Sequence, residues 1–119
     1  SRVTNARSAI AAEQAERLRH GPQITRLVPA QGDMSVDAAL IALEIEFDRP
    51  MQPGMSIFGE VPEVTGKPTW NAEFTVLRIP VRMSPGRTYV MQLNTDADGD
   101  FFSKDGEALV PREWKFGVR

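Results

Sequence analysis

The sequence predicts an all-β fold, an antiparallel sandwich of about seven short strands over residues 23–119, preceded by an N-terminal α-helix. Three observations predict it. In Leu43-Glu44-Ile45-Glu46-Phe47-Asp48, apolar and acidic residues alternate without a break, as in a strand with one face buried and one wet. Turn signals then recur along the chain at Pro50, Pro53-Gly54, Pro62, Gly66-Lys67-Pro68, Ser84-Pro85-Gly86 and Asp105-Gly106. Finally, no helical pattern lies between the strands to carry a parallel crossover, so antiparallel two-sheet packing is the natural solution.

Taken in order, the first segment differs in character from the rest. Ala6, Ala9, Ala11, Ala12 and Ala15 are interleaved with Arg7, Glu13, Gln14, Glu16, Arg17 and Arg19, a composition with strong helix propensity. Thr4 or Asn5 supplies an N-cap, Glu13 and Arg17 pair four apart, and Gly21-Pro22 stops the helix. Its apolar positions Val3, Ile10 and Leu18 are sparse, so residues 1–22 read as a weakly packing helical lead-in or linker. After Pro22 the period becomes two. Strands are expected at Ile24 to Val28, Leu43 to Asp48, Thr75 to Val81, Thr88 to Leu93 and Trp114 to Val118, with shorter ones at Ser56 to Phe58 and Thr69 to Trp70. Pro80 inside a strand predicts an edge or a bulge, because it cannot donate to the ladder.

Composition narrows the function classes. At 119 residues and 41% hydrophobic content, there is one core to build and no second domain of ordinary size. A net charge of -2 and a pI near 5.4 argue against a nucleic-acid surface. No run reaches the roughly 18 apolar residues of a membrane span. With no cysteine, disulfides, thiolate metal sites and cysteine nucleophiles are excluded.

The order of signals resembles a known family. Ile24 to Pro29 followed by Gly32, Val36-Asp37 and Leu43 to Met51 looks like the opening of bacterial Ig-like domains of the S-layer protein Ig-like family. Leu77 to Val81 followed by Met83-Ser-Pro85-Gly86-Arg-Thr-Tyr89 resembles that family's strand and its leucine-x-proline-glycine-x-x-tyrosine turn, with Met83 in place of leucine. Phe101 to Gly106 and the closing Trp114-Lys-Phe116 resemble its ending. The resemblance covers residues 23–119 and implies an Ig-like sandwich in an exported, extracytoplasmic bacterial protein, where such modules act as spacers, adhesive units or accessories to catalytic domains. It brings no catalytic residues. Read on their own chemistry, Pro85-Gly86 sets a tight turn, Tyr89 buries its ring and bonds backbone through its hydroxyl, and Phe47, Met51, Leu93 and Phe116 are core.

Each candidate site residue has a structural role as its rival. Asp96, Asp98, Asp100 and Glu107 fall at the first, third, fifth and twelfth positions of a calcium-binding loop. Phe101 stands at the sixth position where such a loop wants glycine, so the rival is a solvated acidic loop. Phe101 and Phe102 beside it read either as a ligand-binding tip or, for one of them, as a cap on the sandwich end. Trp70, between Thr69 and Asn71, is the candidate for stacking on a sugar ring. The single histidine, His20, suits a helix C-terminus better than a catalytic base. The serines lack a nucleophile elbow, no glycine-rich phosphate loop exists, and Glu44 and Glu46 share the wet face of one strand. The expectation is therefore a non-catalytic structural or adhesive module, working through other domains of its polypeptide or a protein or carbohydrate ligand, without nucleic acid and without a resident cofactor other than calcium. An accessory domain of a multidomain hydrolase and a calcium-stabilised adhesin are the rivals.

Overall fold

A computed structural model describes residues 21–95 and 99–119. The expected helix over residues 5–20 lies outside the described residues. Among the described residues, eight strands form: β1 (Ile24–Val28), β2 (Ala42–Phe47), β3 (Ile57–Gly59), β4 (Glu63–Val64), β5 (Thr69–Trp70), β6 (Val76–Arg82), β7 (Thr88–Leu93) and β8 (Arg112–Gly117). One sheet has the order β1-β2-β6-β4, with β5 also paired to β6; the other has the order β3-β7-β8. Every strand pair is antiparallel. The fold is all-β, in a two-sheet sandwich-like arrangement, as the alternation predicts.

That alternation sets the core. Leu43, Ile45 and Phe47 of β2, Leu77, Ile79 and Val81 of β6, Tyr89, Met91 and Leu93 of β7, and Trp114 and Phe116 of β8 all point between the sheets and are buried. Phe116 lies between the Tyr89 and Trp114 rings, with centroids 5.5 and 5.9 Å away. Each such side chain contributes about 1.5–3 kcal/mol by leaving water. The Trp114 Nε1–H donates to the Pro29 carbonyl at 2.9 Å, which joins the second sheet to the end of β1.

Pro80 corrects its expectation, since β6 is neither an edge nor bulged there. Ala42 lies opposite Pro80, and the Val81 N–H donates to the Ile41 carbonyl. The Pro80 carbonyl instead faces away from β2, accepting from the Thr65 N–H. Its missing donor therefore faces the side where β5 has ended, at Arg78, and β4 begins, at Val81. A proline fits a central strand where the neighbouring ladder is interrupted.

Tyr89 behaves as its spacing predicts. Its ring is buried, and its hydroxyl accepts from the Ser84 N–H at 3.0 Å across the Ser84–Arg87 turn. Gly86 takes φ +78 in that turn, where a side chain would be strained. Tyr89→Phe is expected to lower unfolding free energy by about 1 kcal/mol by orphaning that N–H, measured by denaturant titration with an unchanged slope.

The strand registers fix where the chain enters and leaves. Ile24 lies opposite Phe47 and Val28 opposite Glu44, while Arg112 lies opposite Leu93 and Gly117 opposite Thr88. Pro22, Gln23 and Ile24 line one hollow with Leu109 to Arg112, so β1 and β8 start at one end of the sandwich. Both run toward the other end, where Val36 and Val118 form a parallel bridge. Entry at Pro22 and exit at Arg119 are thus at opposite ends.

The entry is tied down by Asp48, whose Oδ1 accepts from the Gln23 N–H at 3.0 Å and from Arg49 Nε at 3.1 Å. Burial pushes the Asp48 carboxyl up, but the hydrogen bonds from Arg49 and the Gln23 backbone, with the Arg49 charge, outweigh it and hold the group below its usual value. A depressed folded-state pKa stabilises above the unfolded value and is lost as pH falls through the folded one. Asp48→Asn is therefore expected to flatten the loss of stability below pH about 4, as followed by melting temperature against pH.

Candidate contact site at the loop-bearing end

The loops after β2, β5 and β7 gather at the entry end, and the predicted site residues fall among them. Trp70 lies opposite Leu77, which lies opposite Ile45, so the tryptophan belongs to the inward-facing row of its sheet. Its ring sits 5.8 Å from Phe47 and 6.3 Å from Phe74, closing the rim of the core. The expected sugar platform is thus half-buried and packed against the core. The outward row beside it is Glu44, Arg78 and Thr69, and these line a cleft of about 240 Å³ together with Trp70 itself, Asn71 and Val76.

Phe101 is also corrected. It is fully buried, 5.7 Å from the Phe47 ring, and is the cap on the sandwich end instead of an exposed tip. Phe102 is half-buried; it bridges to Ala108, and its carbonyl accepts from the Gln52 N–H. Alternation explains the pair, because adjacent residues of an extended segment point to opposite sides.

Of the expected calcium ligands, Asp96 and Asp98 lie outside the described residues. Asp100 is exposed and its N–H donates to Ser56 Oγ, whereas Glu107 is exposed at the far side of the tight Ser103–Glu107 turn. Ser103 is buried and its hydroxyl bonds Asp105 and the Glu107 backbone, closing that turn. Among the described residues, no three His, Cys, Asp or Glu side chains gather to hold a metal. Calcium thus finds no support from them.

Asn94 organises this end, and no sequence motif points to it. It is buried at φ +61, with Oδ1 accepting from the Phe101 N–H and Nδ2 donating to the Phe101 and Leu109 carbonyls at 3.1 and 3.0 Å. The available signal is its place just after a strand, since asparagine tolerates left-handed backbone and bonds it locally. The same end carries half-buried Phe74, with Lys104 Nζ 4.4 Å from its ring centroid, and Arg49, whose guanidinium reaches Asp48 and Asp105. The surface offers aromatic edges and paired charges, chemistry suited to binding contacts. Ser103, spent on its own turn, is the hydroxyl that stands next to a carboxylate here.

These elements define a class, a small antiparallel β-sandwich with its chain entry and exit at opposite ends. No family model matches the chain, and no curated protein matches it. Among solved structures it is similar to CopC from Methylosinus trichosporium OB3b, at 19% identity and a TM-score of 0.57, over 82% of this chain and 92% of that one. At that identity the likeness shows a shared fold. No helix among the described residues is long and apolar enough to cross a membrane.

Proposed function

We propose that this chain is a non-catalytic Ig-like structural module of an exported bacterial protein, which spaces its neighbours in the polypeptide and makes protein or carbohydrate contacts at its loop-bearing end. The observation that carries this reading is the placement of entry and exit. Because β1 and β8 both run from one end of the sandwich to the other, the folded domain holds Pro22 and Arg119 a fixed length apart. Hairpin-like termini on one end would insert none. The order of sequence signals from Ile24 to Phe116 supports the family and, with it, the extracytoplasmic setting. The contact role draws on Phe74, Lys104 and Phe102, held by backbone bonds to Asn71 and Met51, to Pro50 and to Gln52 respectively.

An exchange experiment tests the proposal. Residues 23–119 are replaced, within the natural polypeptide, by an unrelated sandwich of equal end-to-end length, and separately by one whose termini share an end. The spacer role predicts that the first replacement preserves surface display or activity of the flanking parts and the second impairs it. Equal impairment by both, or by neither, would sink it.

A further inference from the structure

The spacing role leaves open whether the module bears load, and the backbone around β8 answers it. The outer edge of β8 is not free. The segment after β1 runs alongside it, in the same direction, and is bonded to it repeatedly. The Gly32 N–H donates to the Lys115 carbonyl at 2.7 Å, the Gly117 N–H to the Asp33 carbonyl at 2.8 Å, the Val36 N–H to the Gly117 carbonyl at 3.0 Å and the Arg119 N–H to the Val36 carbonyl at 2.9 Å. The Gln31 side chain adds a fifth bond, with Oε1 accepting from the Lys115 N–H at 2.8 Å. The first and last parts of the domain are thus joined directly to each other, not only through the sheets between them.

Direction decides what this joint does. Tension between entry and exit draws the Gln31–Val36 segment back toward the entry end through β1, and draws Lys115–Arg119 forward toward the exit. The two segments are parallel, as the Val36–Val118 bridge shows, so the pull slides one along the other. Bonds between neighbouring strands lie across the strand direction, and sliding loads them together; peeling loads them one after another. The same tension slides β1 along β2 and β8 along β7, whose ladders are also set across the pull.

We propose that Gln31–Val36 and Lys115–Arg119 form a tensile clamp, through which the domain bears force applied between its entry and its exit. This rests on the spacer reading and adds a mechanical duty to it.

The chain has no cysteine, so two introduced thiols give unique attachment points for single-molecule pulling. Gln23→Cys with Arg119→Cys loads the domain end to end. Gln23→Cys with Glu73→Cys attaches both handles at the entry end and peels β1 from β2. Because forced unfolding follows the barrier to unfolding, the end-to-end force at one loading rate is expected to exceed the peeling force by about twofold or more. Two variants locate the clamp. Gln31→Ala removes the side-chain acceptor and Lys115→Pro removes the N–H that donates to it, so each breaks the bond that ties Gln31 to β8 from one of its two ends. Both are expected to lower the end-to-end force and leave the peeling force unchanged. Equal forces in the two geometries would overturn the clamp, as would an end-to-end force that neither variant moves. Either result leaves the spacer reading standing, because the exchange experiment involves no applied force.

Discussion

Trp114→Ala is expected to lower the unfolding free energy by about 3–5 kcal/mol, a large part of the roughly 5–15 kcal/mol that a domain possesses. Trp114 is fully buried at the centre of β8, packed against Phe116, and its indole N–H holds the Pro29 carbonyl. Truncation leaves a cavity between the sheets and strips a backbone acceptor of its partner. It acts where a side chain of the second sheet bonds the turn after β1, so the loss falls on both sheets at once. Trp114→Phe separates the two contributions. It keeps most of the packing and orphans only the carbonyl, and should lower stability by about 1–3 kcal/mol. Guanidinium titration followed by far-ultraviolet circular dichroism measures both. A Trp114→Ala protein within about 1 kcal/mol of the parent would contradict the packing described.

Asn94→Ala is expected to have a similar effect, at about 3–5 kcal/mol. The Phe101 N–H and the Leu109 carbonyl, both buried, lose their Asn94 partner together, and the Phe101 carbonyl loses one of two bonds, keeping the one from the Leu109 N–H. The substitution also places alanine at φ +61, where a left-handed backbone costs roughly 1–2 kcal/mol for most residues. Asn94→Gly relieves the backbone component and keeps the loss of bonds, so it should recover about 1–2 kcal/mol of the damage. Amide hydrogen exchange provides the local readout. Protection at Phe101, Ser103 and Leu109, whose N–H groups are bonded in the folded domain, should fall further than protection in β2 or β7. Uniform loss across the domain would mean that Asn94 supports the global fold and not this end in particular.

The regular parts of the fold are readable in the sequence because they rest on period and punctuation. Leu43 to Asp48 alternates strictly, and β2 buries Leu43, Ile45 and Phe47 as that alternation demands. Thr88 to Leu93 matches β7 residue for residue. β4, at Glu63–Val64, is not readable, because two residues between Pro62 and Gly66 carry no period at all. Pro80 misleads because a local rule, that proline avoids central strands, cannot see that the neighbouring ladder is split between β5 and β4. The site is harder to read for the same reason. Whether Trp70 stacks outward or closes the core depends on its register against Leu77, a pairing between segments that composition does not reveal. Phe101 and Phe102 look equivalent in sequence, and the bridge from Phe102 to Ala108 decides which one turns inward. Asn94 matters through partners seven and fifteen residues away, beyond the reach of any local motif.

A spacer must hold its entry and exit apart at a fixed length, and spin labels at Gln23→Cys and Arg119→Cys test this most directly, by electron–electron distance measurement in solution. Arg112 shares a hollow with Gln23, and the extended run from Arg112 to Arg119 should separate the labels by about 25 Å, at roughly 3.3 Å per residue. The expected result is a single narrow distribution near that value, unchanged when flanking polypeptide is present. A broad distribution, or one centred well below about 20 Å, would contradict the fixed length.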